Sequence, residues 1–327
     1  MVAHYITWWN TENLFDIKTS PRRPEWLAKT LAKELKYWDS TLLENKLNNL
    51  VSIMIQMNQE KGSDIYGLCE VENLYVLEQL SNKLNLLLPQ RAYKVIHHSM
   101  EDKRGIDIGV IFDSNKYKIK QLDGENKVFT YRITKRSPTR DILQVELETI
   151  KGNDLVLLLN HWVSRMAGKF ESEPYRIISA ETLSYWIMRI QQELGDKIPI
   201  VVLGDFNDEP FDRSLKEYAL STNNLEKVKA GRNPYLYNLM WELAGNRLGT
   251  YVYGSNSSIL DQILVSKGLL FNNSNITIGK ETAKIEVFKG MVKGKYKTPV
   301  RFKLSGKKYN PNGYSDHLPV SIKLIEK

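Results

Sequence analysis

The sequence predicts an α/β fold in which two packed β-sheets are flanked by helices. Apolar runs of strand length outnumber the amphipathic stretches, and they come in hairpin-like groups between them. Two sheets with helices outside them explain this order better than one parallel sheet does. Hydrophobic residues make up 42% of the 327 residues, which is enough for a sizeable core. Because no repeat or linker interrupts the chain, we expect one domain that spans residues 1–327.

The strands are predicted from short apolar runs that are rich in β-branched residues and bounded by turn-forming residues. The predicted strands cover residues 5–10, 64–69, 93–97, 106–112, 142–148, 155–159, 198–203, 259–265 and 318–324.

The helices are predicted from apolar residues at helical spacing. One helix is expected over residues 43–54, and Asn73 is a suitable N-cap for a second. A long helix is expected to start near Ser172, with Pro174 in its first turn, where proline is tolerated. A short amphipathic stretch surrounds Leu215.

The composition also limits the class of protein. The single cysteine, Cys69, excludes an internal disulfide framework and a multi-cysteine metal site, and its apolar neighbours predict a core position. The first residues lack the basic and apolar regions of a secretion signal, and no apolar run is long enough to span a membrane. We therefore expect a cytoplasmic protein without a membrane segment.

The stretch from Val201 to Pro210 joins a buried strand to polar groups at its end. The apolar run stops at Gly204, and Asp205 and Asn207 follow. Because side chains alternate along extended chain, these two project to the same side, into one cleft. An Asx turn at the end of the strand explains the same residues.

Polar residues follow several other predicted strands in the same way. Glu70 comes directly after an apolar run, where burying its charge is costly unless a cation lies nearby. Each such residue, taken singly, also suits a turn, a cap or a satisfied core position. The set as a whole indicates a site built from strand ends; it comprises Asn10, Glu12, Glu70, Asn160, His161, Asp205, Asn207, Asp261, Asp316 and His317.

The net charge of +8 is concentrated in one segment, residues 280–308. It carries ten basic residues against two acidic ones, so the rest of the chain is close to neutral. Aromatic residues, Phe288, Tyr296, Phe302 and Tyr309, are interleaved with the charges, a mixture that suits phosphate backbones and stacked bases. A solvated hairpin whose edge is guarded by lysines is the alternative.

The motifs of this chain resemble, in their residues and their order, those of the endonuclease/exonuclease/phosphatase superfamily, the group of deoxyribonuclease I and the abasic-site endonucleases. The resemblance runs from Ile6 to Val320. It is carried by Trp9-Asn10-x-Glu12-Asn13-Leu14-Phe15, Glu70-Val71-Glu72, Arg104-Gly105-x-Asp107, Asn160-His161-Trp162, Gly204-Asp205-Phe206-Asn207, Leu260-Asp261-Gln262-Ile263-Leu264 and Ser315-Asp316-His317. One departure is Glu12, which stands where the abasic endonucleases carry Asp.

The resemblance implies a four-layered α/β sandwich, with two facing mixed β-sheets flanked by helices and a metal-dependent cleft at one edge. It implies that Mg²⁺ (or Mn²⁺) is held by Glu70 together with Asn10, Glu12 and Asp316. Oxygen donors of this kind suit Mg²⁺, which keeps several waters and needs few protein ligands.

The resemblance also implies the catalytic roles. Asp205 orients or deprotonates the attacking water, and Asn207 donates to a phosphate oxygen. His317 contacts the scissile phosphate while Asp261 holds its ring in one tautomer. His161 is a second imidazole that faces the phosphate, with Asp107 as its orienting partner.

Binding of a nucleic-acid backbone is expected at Arg140, as the resemblance to deoxyribonuclease I implies, and in the basic segment. Within that segment the residues of interest are Lys293, Lys295, Lys297 and Arg301, in a basic insertion at about residues 280–310. The expected partner is DNA or RNA, and the expected state is a monomer.

Three function classes remain open from the sequence. The first is a metal-dependent nuclease, which the basic and aromatic segment supports. The second is a phosphatase or phosphodiesterase that acts on phosphoinositides, sphingomyelin or another small phosphoester, since one scaffold hosts many functions. The third is an inactive binding module, which a missing site residue would indicate; none of the expected residue types is missing from the motifs.

Overall fold

The computed structural model describes residues 1–134, 139–279, 283–304 and 308–327. The predicted fold class is confirmed: two large mixed sheets face each other, and helices cover their outer sides. Lys280 and Lys307 of the basic segment lie outside the described residues.

The first sheet has seven strands within the described residues, and β1 at its centre runs parallel to β2 and antiparallel to β21. Across the sheet the strands are β17 (Ile276–Ile278), β21 (Val320–Glu326), β1 (Val2–Leu14), β2 (Ile65–Val71), β4 (Asp107–Asp113) and β3 (Tyr93–His98), with β18 (Lys284–Ile285) also paired to β21.

The second sheet has eight strands within the same ranges, and its centre repeats the parallel pairing in β10 and β11. Its strands are β12 (Ser221–Thr222), β13 (Leu236–Asn238), β16 (Asp261–Val265), β11 (Ile200–Asp205), β10 (Asp154–His161), β9 (Ile142–Thr149) and β5 (Tyr117–Ile119), with β8 (Val128–Tyr131) also paired to β9.

Small hairpins lie outside these sheets. They are β6 (Gln121–Leu122) with β7 (Glu125–Asn126), β14 (Tyr251–Tyr253) with β15 (Asn256–Ser258), and β19 (Val292–Lys293) with β20 (Thr298–Pro299). We call residues 292–299 the basic hairpin, because Lys293, Lys295 and Lys297 project from it.

The helices are α1 (Glu25–Leu31), α2 (Ser40–Met54), α3 (Met57–Glu60), α4 (Leu74–Leu87), α5 (Lys169–Leu194) and α6 (Leu225–Ala230). The predicted cap is confirmed, since the Asn73 side chain accepts a hydrogen bond from the Val76 amide. The prediction for the long helix was wrong at its start: α5 begins at Lys169, so Pro174 lies inside it. None of the described helices has the length and apolar composition needed to cross a bilayer.

Three apolar clusters account for the four layers. The central cluster joins the facing sides of the two sheets and contains Trp8 from β1 and Leu203 from β11. A second packs α1, α2 and α4 on the outer side of the first sheet, and a third packs α5 on the second. Side chains alternate along β1, so Ile6 and Trp8 face the other sheet while Tyr5 and Trp9 face the helices. One strand therefore contributes to two apolar clusters. Cys69 is a buried core residue, as predicted.

Candidate functional site

The candidate site lies where the ends of facing strands meet between the two sheets. Asn10 continues the side of β1 that carries Trp8, and Asp205 continues the side of β11 that carries Leu203. Both therefore point into the space between the sheets, and Asn10 Nδ2 donates to Asp205 Oδ2 at 3.1 Å. Asp261 opens β16 directly beside Asp205, so a third polar side chain joins them.

Asp261 and His317 form a buried pair at this edge. His317 Nδ1 lies 2.6 Å from Asp261 Oδ2, and Trp8 Nε1 donates to Asp261 Oδ1 at 3.0 Å. The ring of Tyr251 packs on that of His317, with centroids 4.8 Å apart. Burial alone would lower the pKa of His317, but the carboxylates of Asp261 and Asp205 outweigh it and raise that pKa well above its usual value.

Asp205 lies between two imidazoles. Its Oδ2 is 3.9 Å from His317 Nε2 and 3.8 Å from His161 Nε2. The amide of Asn207 donates to its Oδ1 at 3.0 Å, and Asn207 has a positive φ of 52°. The expectation of extended chain from Asp205 to Asn207 was therefore wrong: β11 ends at Asp205, and an Asx turn follows. Burial raises the pKa of Asp205 to about 7 against the opposing effect of His317. We call Asp205, Asp261, His161 and His317 the imidazole cluster.

His161 differs from His317 in lacking a close carboxylate partner. Its Nε2 faces Asp205 and Glu70, the latter at 3.9 Å, whereas no residue within the described ranges bonds its buried Nδ1. Burial, reinforced by the positive charges of Arg140 and Arg104, lowers the pKa of His161 well below its usual value. The ring is therefore neutral at pH 7, and its proton is best placed on Nε2, toward the carboxylates.

Glu70 reaches the site because β2 is irregular at its end. The pairing of β2 with β4 shifts register between Cys69 and Val71, and Glu70 has a positive φ of 61°. Simple alternation would send its side chain toward the helices, opposite to Cys69. Instead its Oε2 accepts from the Asn13 amide at 2.9 Å, and no described residue forms a hydrogen bond with its Oε1. Such bulges re-aim side chains beside active sites.

Glu12 and Asp316, both expected as metal ligands, share an arginine. Arg301 Nε donates to Glu12 Oε1 at 3.0 Å, and its Nη2 donates to Asp316 Oδ2 at 2.9 Å. Lys46, fully buried on α2, adds a second cation near the two carboxylates, and burial lowers its pKa to about 8. We call Glu12, Asp316, Arg301 and Lys46 the arginine cluster.

The donor set fits a divalent metal on the Glu70 side of the site. Ligand atoms of Asp205, Asp261 and His317 lie within 4.8 Å of one another, a grouping that resembles a metal site. Both oxygens of Asp261, however, are already engaged by Trp8 and His317. Glu70 Oε1 is the better candidate ligand, because it is a carboxylate oxygen with no hydrogen bond from the described residues.

Two predicted residues lie elsewhere than expected. Asp107 was expected to orient His161, but it accepts from the Met100 amide at 3.0 Å and lies 3.1 Å from His97 Nε2. Arg140 was expected to contact nucleic acid. It is buried, and it donates to Asp102 and to the backbone oxygens of His161 and Trp162, so it braces the segment that follows β10.

The basic segment divides into two parts. Lys293, Lys295 and Lys297 are exposed on the basic hairpin, and none forms an ion pair with a described residue. Arg301, predicted alongside them, is half-exposed and pairs with the two carboxylates of the arginine cluster, and its neighbour Phe302 is buried.

Sequence reasoning missed Lys46 and Trp8. Lys46 lies on the apolar face of α2 with Leu43 and Leu50, and a lysine within such a stripe was a usable signal. The hydrogen bond from Trp8 to Asp261 joins residues 253 positions apart, so no local sequence pattern predicts it.

A sequence model described as "Endonuclease/Exonuclease/phosphatase family" matches residues 5–327. A comparison with curated proteins found no match. Solved structures with the same fold include the human Nocturnin catalytic domain, at 16% identity and a TM-score of 0.55, with 99% of this chain and 95% of that chain covered.

Two further structures agree on the fold. A truncated TDP2 from Caenorhabditis elegans has 14% identity and a TM-score of 0.55, with 99% of this chain and 98% of that chain covered. An endonuclease/exonuclease/phosphatase from Bacteroides vulgatus has 14% identity and a TM-score of 0.56, with both chains fully covered (100%). At such low identity these likenesses show the fold alone.

Proposed function

The chain belongs to the endonuclease/exonuclease/phosphatase family, and from this premise we propose that it is a metal-dependent nuclease that hydrolyses phosphodiester bonds of DNA or RNA. Members of the family are hydrolases that act on phosphoester bonds. The finer assignment is supported by the imidazole cluster, by the free Glu70 oxygen and by the exposed lysines of the basic hairpin.

The observation that carries the proposal is the convergence of two imidazoles on Asp205. Both Nε2 atoms face Asp205 Oδ2 across gaps of 3.8 and 3.9 Å, wider than direct hydrogen bonds. A phosphate placed there could accept hydrogen bonds from His161 and His317 while a water bonds to Asp205. Donors fixed where negative charge develops stabilise a transition state strongly, because they do not need to reorganise.

Each group then has a distinct role. Asp205 orients the attacking water and takes up its proton. His317 bears positive charge toward the phosphate, with Asp261 holding its ring through Nδ1. Asn207 keeps Asp205 in place through its backbone amide, and its side-chain amide, which donates to the Trp162 carbonyl at 3.1 Å, has a second proton for a phosphate oxygen.

A bound divalent cation would neutralise phosphate charge and stabilise the leaving oxygen. Glu70 Oε1 is the residue atom best placed to hold it. The side-chain oxygen of Asn10, expected as a further ligand, accepts from the Glu12 amide at 3.0 Å and is the weaker candidate. A site with few protein oxygen ligands suits Mg²⁺ or Mn²⁺, because Mg²⁺ keeps several bound waters.

A polynucleotide substrate is favoured by the basic hairpin. Its three lysines are exposed and are not neutralised by described carboxylates. The hairpin ends two residues before Arg301, which reaches the site, so we expect the lysines to lie beside the cleft. A long anionic chain can use such contacts beyond the scissile phosphate, whereas a small phosphoester cannot.

The test is a substrate panel with purified protein and Mg²⁺ or Mn²⁺. We expect cleavage of supercoiled plasmid or single-stranded RNA in preference to hydrolysis of phosphoinositide in vesicles. Asp205→Asn should abolish turnover, and Asp123→Asn, an equal change at an exposed turn, should not. Turnover of phosphoinositide alone would contradict the nuclease assignment, and no turnover on any member of the panel would contradict the enzyme assignment.

A further inference from the structure

Arg301 lies between the carboxylates of Glu12 and Asp316, which the family resemblance implies as metal ligands. We propose that Arg301 is a built-in cation in this centre, so that the protein binds one divalent ion, on the Glu70 side, and none between Glu12 and Asp316. The inference rests on the proposed function, because it assigns the metal stoichiometry of that same site.

The contacts of Glu12 leave it no free oxygen for a metal. Its Oε1 accepts from Arg301 Nε at 3.0 Å, and its Oε2 accepts from the Phe302 amide at 2.7 Å. Its side chain is only 2% exposed. Glu70 presents the opposite case, with one oxygen held by an amide and the other not hydrogen-bonded by described residues.

The backbone holds Arg301 in position from both sides. Val300 O accepts from the Tyr314 amide and Phe302 O from the Asn310 amide, each at 2.7 Å. Gly313 lies so close that a Cβ there would be 2.2 Å from Arg301 O. Phe302 is buried, with its ring 5.9 Å from that of Trp38. Hydrogen bonds and packing therefore fix the backbone that carries Arg301, even though the Arg301 side chain is 48% exposed.

The charges of the site agree with a single ion. Arg301 and Lys46 face three carboxylates, those of Glu12, Glu70 and Asp316. Arg301 pairs directly with both Glu12 and Asp316, whereas no described lysine or arginine forms an ion pair with Glu70, so Glu70 is the carboxylate left for a metal. Lys46 Nζ is itself anchored by the Tyr314 carbonyl at 2.5 Å, which keeps it inside the site.

The first experiment counts bound Mn²⁺ by electron paramagnetic resonance and calorimetry, using Mn²⁺ alone as the probe. Wild type should bind one ion, and Glu70→Gln should lose it. Glu12→Gln should keep it, because Glu12 is not a ligand in this account. Two ions in wild type, or loss of the single ion in Glu12→Gln, would overturn the inference without touching the proposed function.

The second experiment removes the arginine. Arg301→Gln frees two adjacent carboxylates, so the number of bound ions should rise from one to two, whereas Arg301→Lys should keep it at one. Lys303→Gln, which removes a neighbouring cation that pairs with Glu34, is the matched control and should also stay at one. A thermal melt checks folding, and Arg301→Ala replaces Arg301→Gln if the latter is unfolded.

The outcomes separate the two proposals. A count that stays at one in Arg301→Gln and Arg301→Ala overturns the role of Arg301 alone. No Mn²⁺ bound to wild type contradicts the metal dependence of the proposed function, and the inference then falls with it.

Discussion

The imidazole cluster and the arginine cluster lie in one cleft but balance their carboxylates differently. Asp261 and Asp205 are matched by histidines, whose charge depends on a proton that can leave. Glu12 and Asp316 are matched by Arg301, whose guanidinium keeps its proton under all ordinary conditions. The difference teaches that the first cluster has groups able to exchange a proton, as the proposed function requires, whereas the second supplies fixed charge.

A large effect is expected from the pair inside the imidazole cluster. His317→Ala should lower turnover of a chromogenic phosphodiester roughly 10²- to 10³-fold, the usual cost of removing one donor to developing negative charge. Asp261 acts through His317, so adding Asp261→Ala to that variant should cost little more.

His98→Ala is the matched control, since His98 is exposed at the end of β3. Losses that multiply in the double variant would show that Asp261 serves another group. Undiminished turnover in His317→Ala would place the chemistry outside this cluster.

A smaller effect is expected from the basic hairpin, which extends the fixed charge of the arginine cluster toward solvent. Changing Lys293, Lys295 and Lys297 to Gln should weaken polynucleotide binding. Each lost phosphate contact removes roughly 0.7 to 0.9 from the slope of log affinity against log salt, so the slope should flatten by up to about two to three units.

The control for the hairpin variant removes the same number of positive charges, but from the opposite edge of the sheets. Lys151, Lys197 and Lys327 are exposed there, beside the ends of strands that point away from the site. Their replacement by Gln should leave the slope unchanged. Equal slopes for wild type and the hairpin variant would make the hairpin a solvated loop.

The smallest effect concerns another imidazole beside a carboxylate, at that opposite edge. His4 is buried, its Nε2 3.1 Å from Glu326 Oε2 and its Nδ1 2.6 Å from the hydroxyl of Tyr117. Burial, only partly offset by Glu326, lowers the pKa of His4 below its usual value, in contrast to His317.

The sign of the pH effect follows from linkage. Between the lowered folded pKa and the unfolded value of about 6.5, the unfolded state binds more protons, so His4 reduces stability as pH falls through that range. The urea midpoint should therefore drop more from pH 7.5 to 5.5 in wild type than in His4→Gln, with exposed His98→Gln as control. Equal drops would contradict a neutral His4.

The sequence prediction applied strand alternation only to Asp205 and Asn207, but alternation also explains where Asn10 and Asp261 point. Each follows or opens an apolar run, and the parity of the run decides its side. Glu70 was identified as a strand-end carboxylate, but its direction depends on a register shift and a positive φ that no local pattern reveals.

Arginines were harder to place than carboxylates. Arg140 and Arg301 were both expected to contact nucleic acid. Arg140 donates inside the protein instead, whereas Arg301 is half-exposed and pairs with Glu12 and Asp316. Their partners, Asp102 and Glu12, are 38 and 289 residues away along the chain, so only the tertiary structure decides the pairing. A long flexible side chain can reach either solvent or an internal partner, and sequence periodicity does not distinguish the two.

The central claim is that hydrolysis depends on a divalent metal held by Glu70. It is tested most directly by titrating Mg²⁺ into wild type, Glu70→Gln and the exposed control Glu78→Gln while following a chromogenic phosphodiester. We expect saturable activation of wild type and Glu78→Gln, and no activity of folded Glu70→Gln at any Mg²⁺ concentration. Full turnover of wild type in excess EDTA, or wild-type turnover by Glu70→Gln, would contradict the claim.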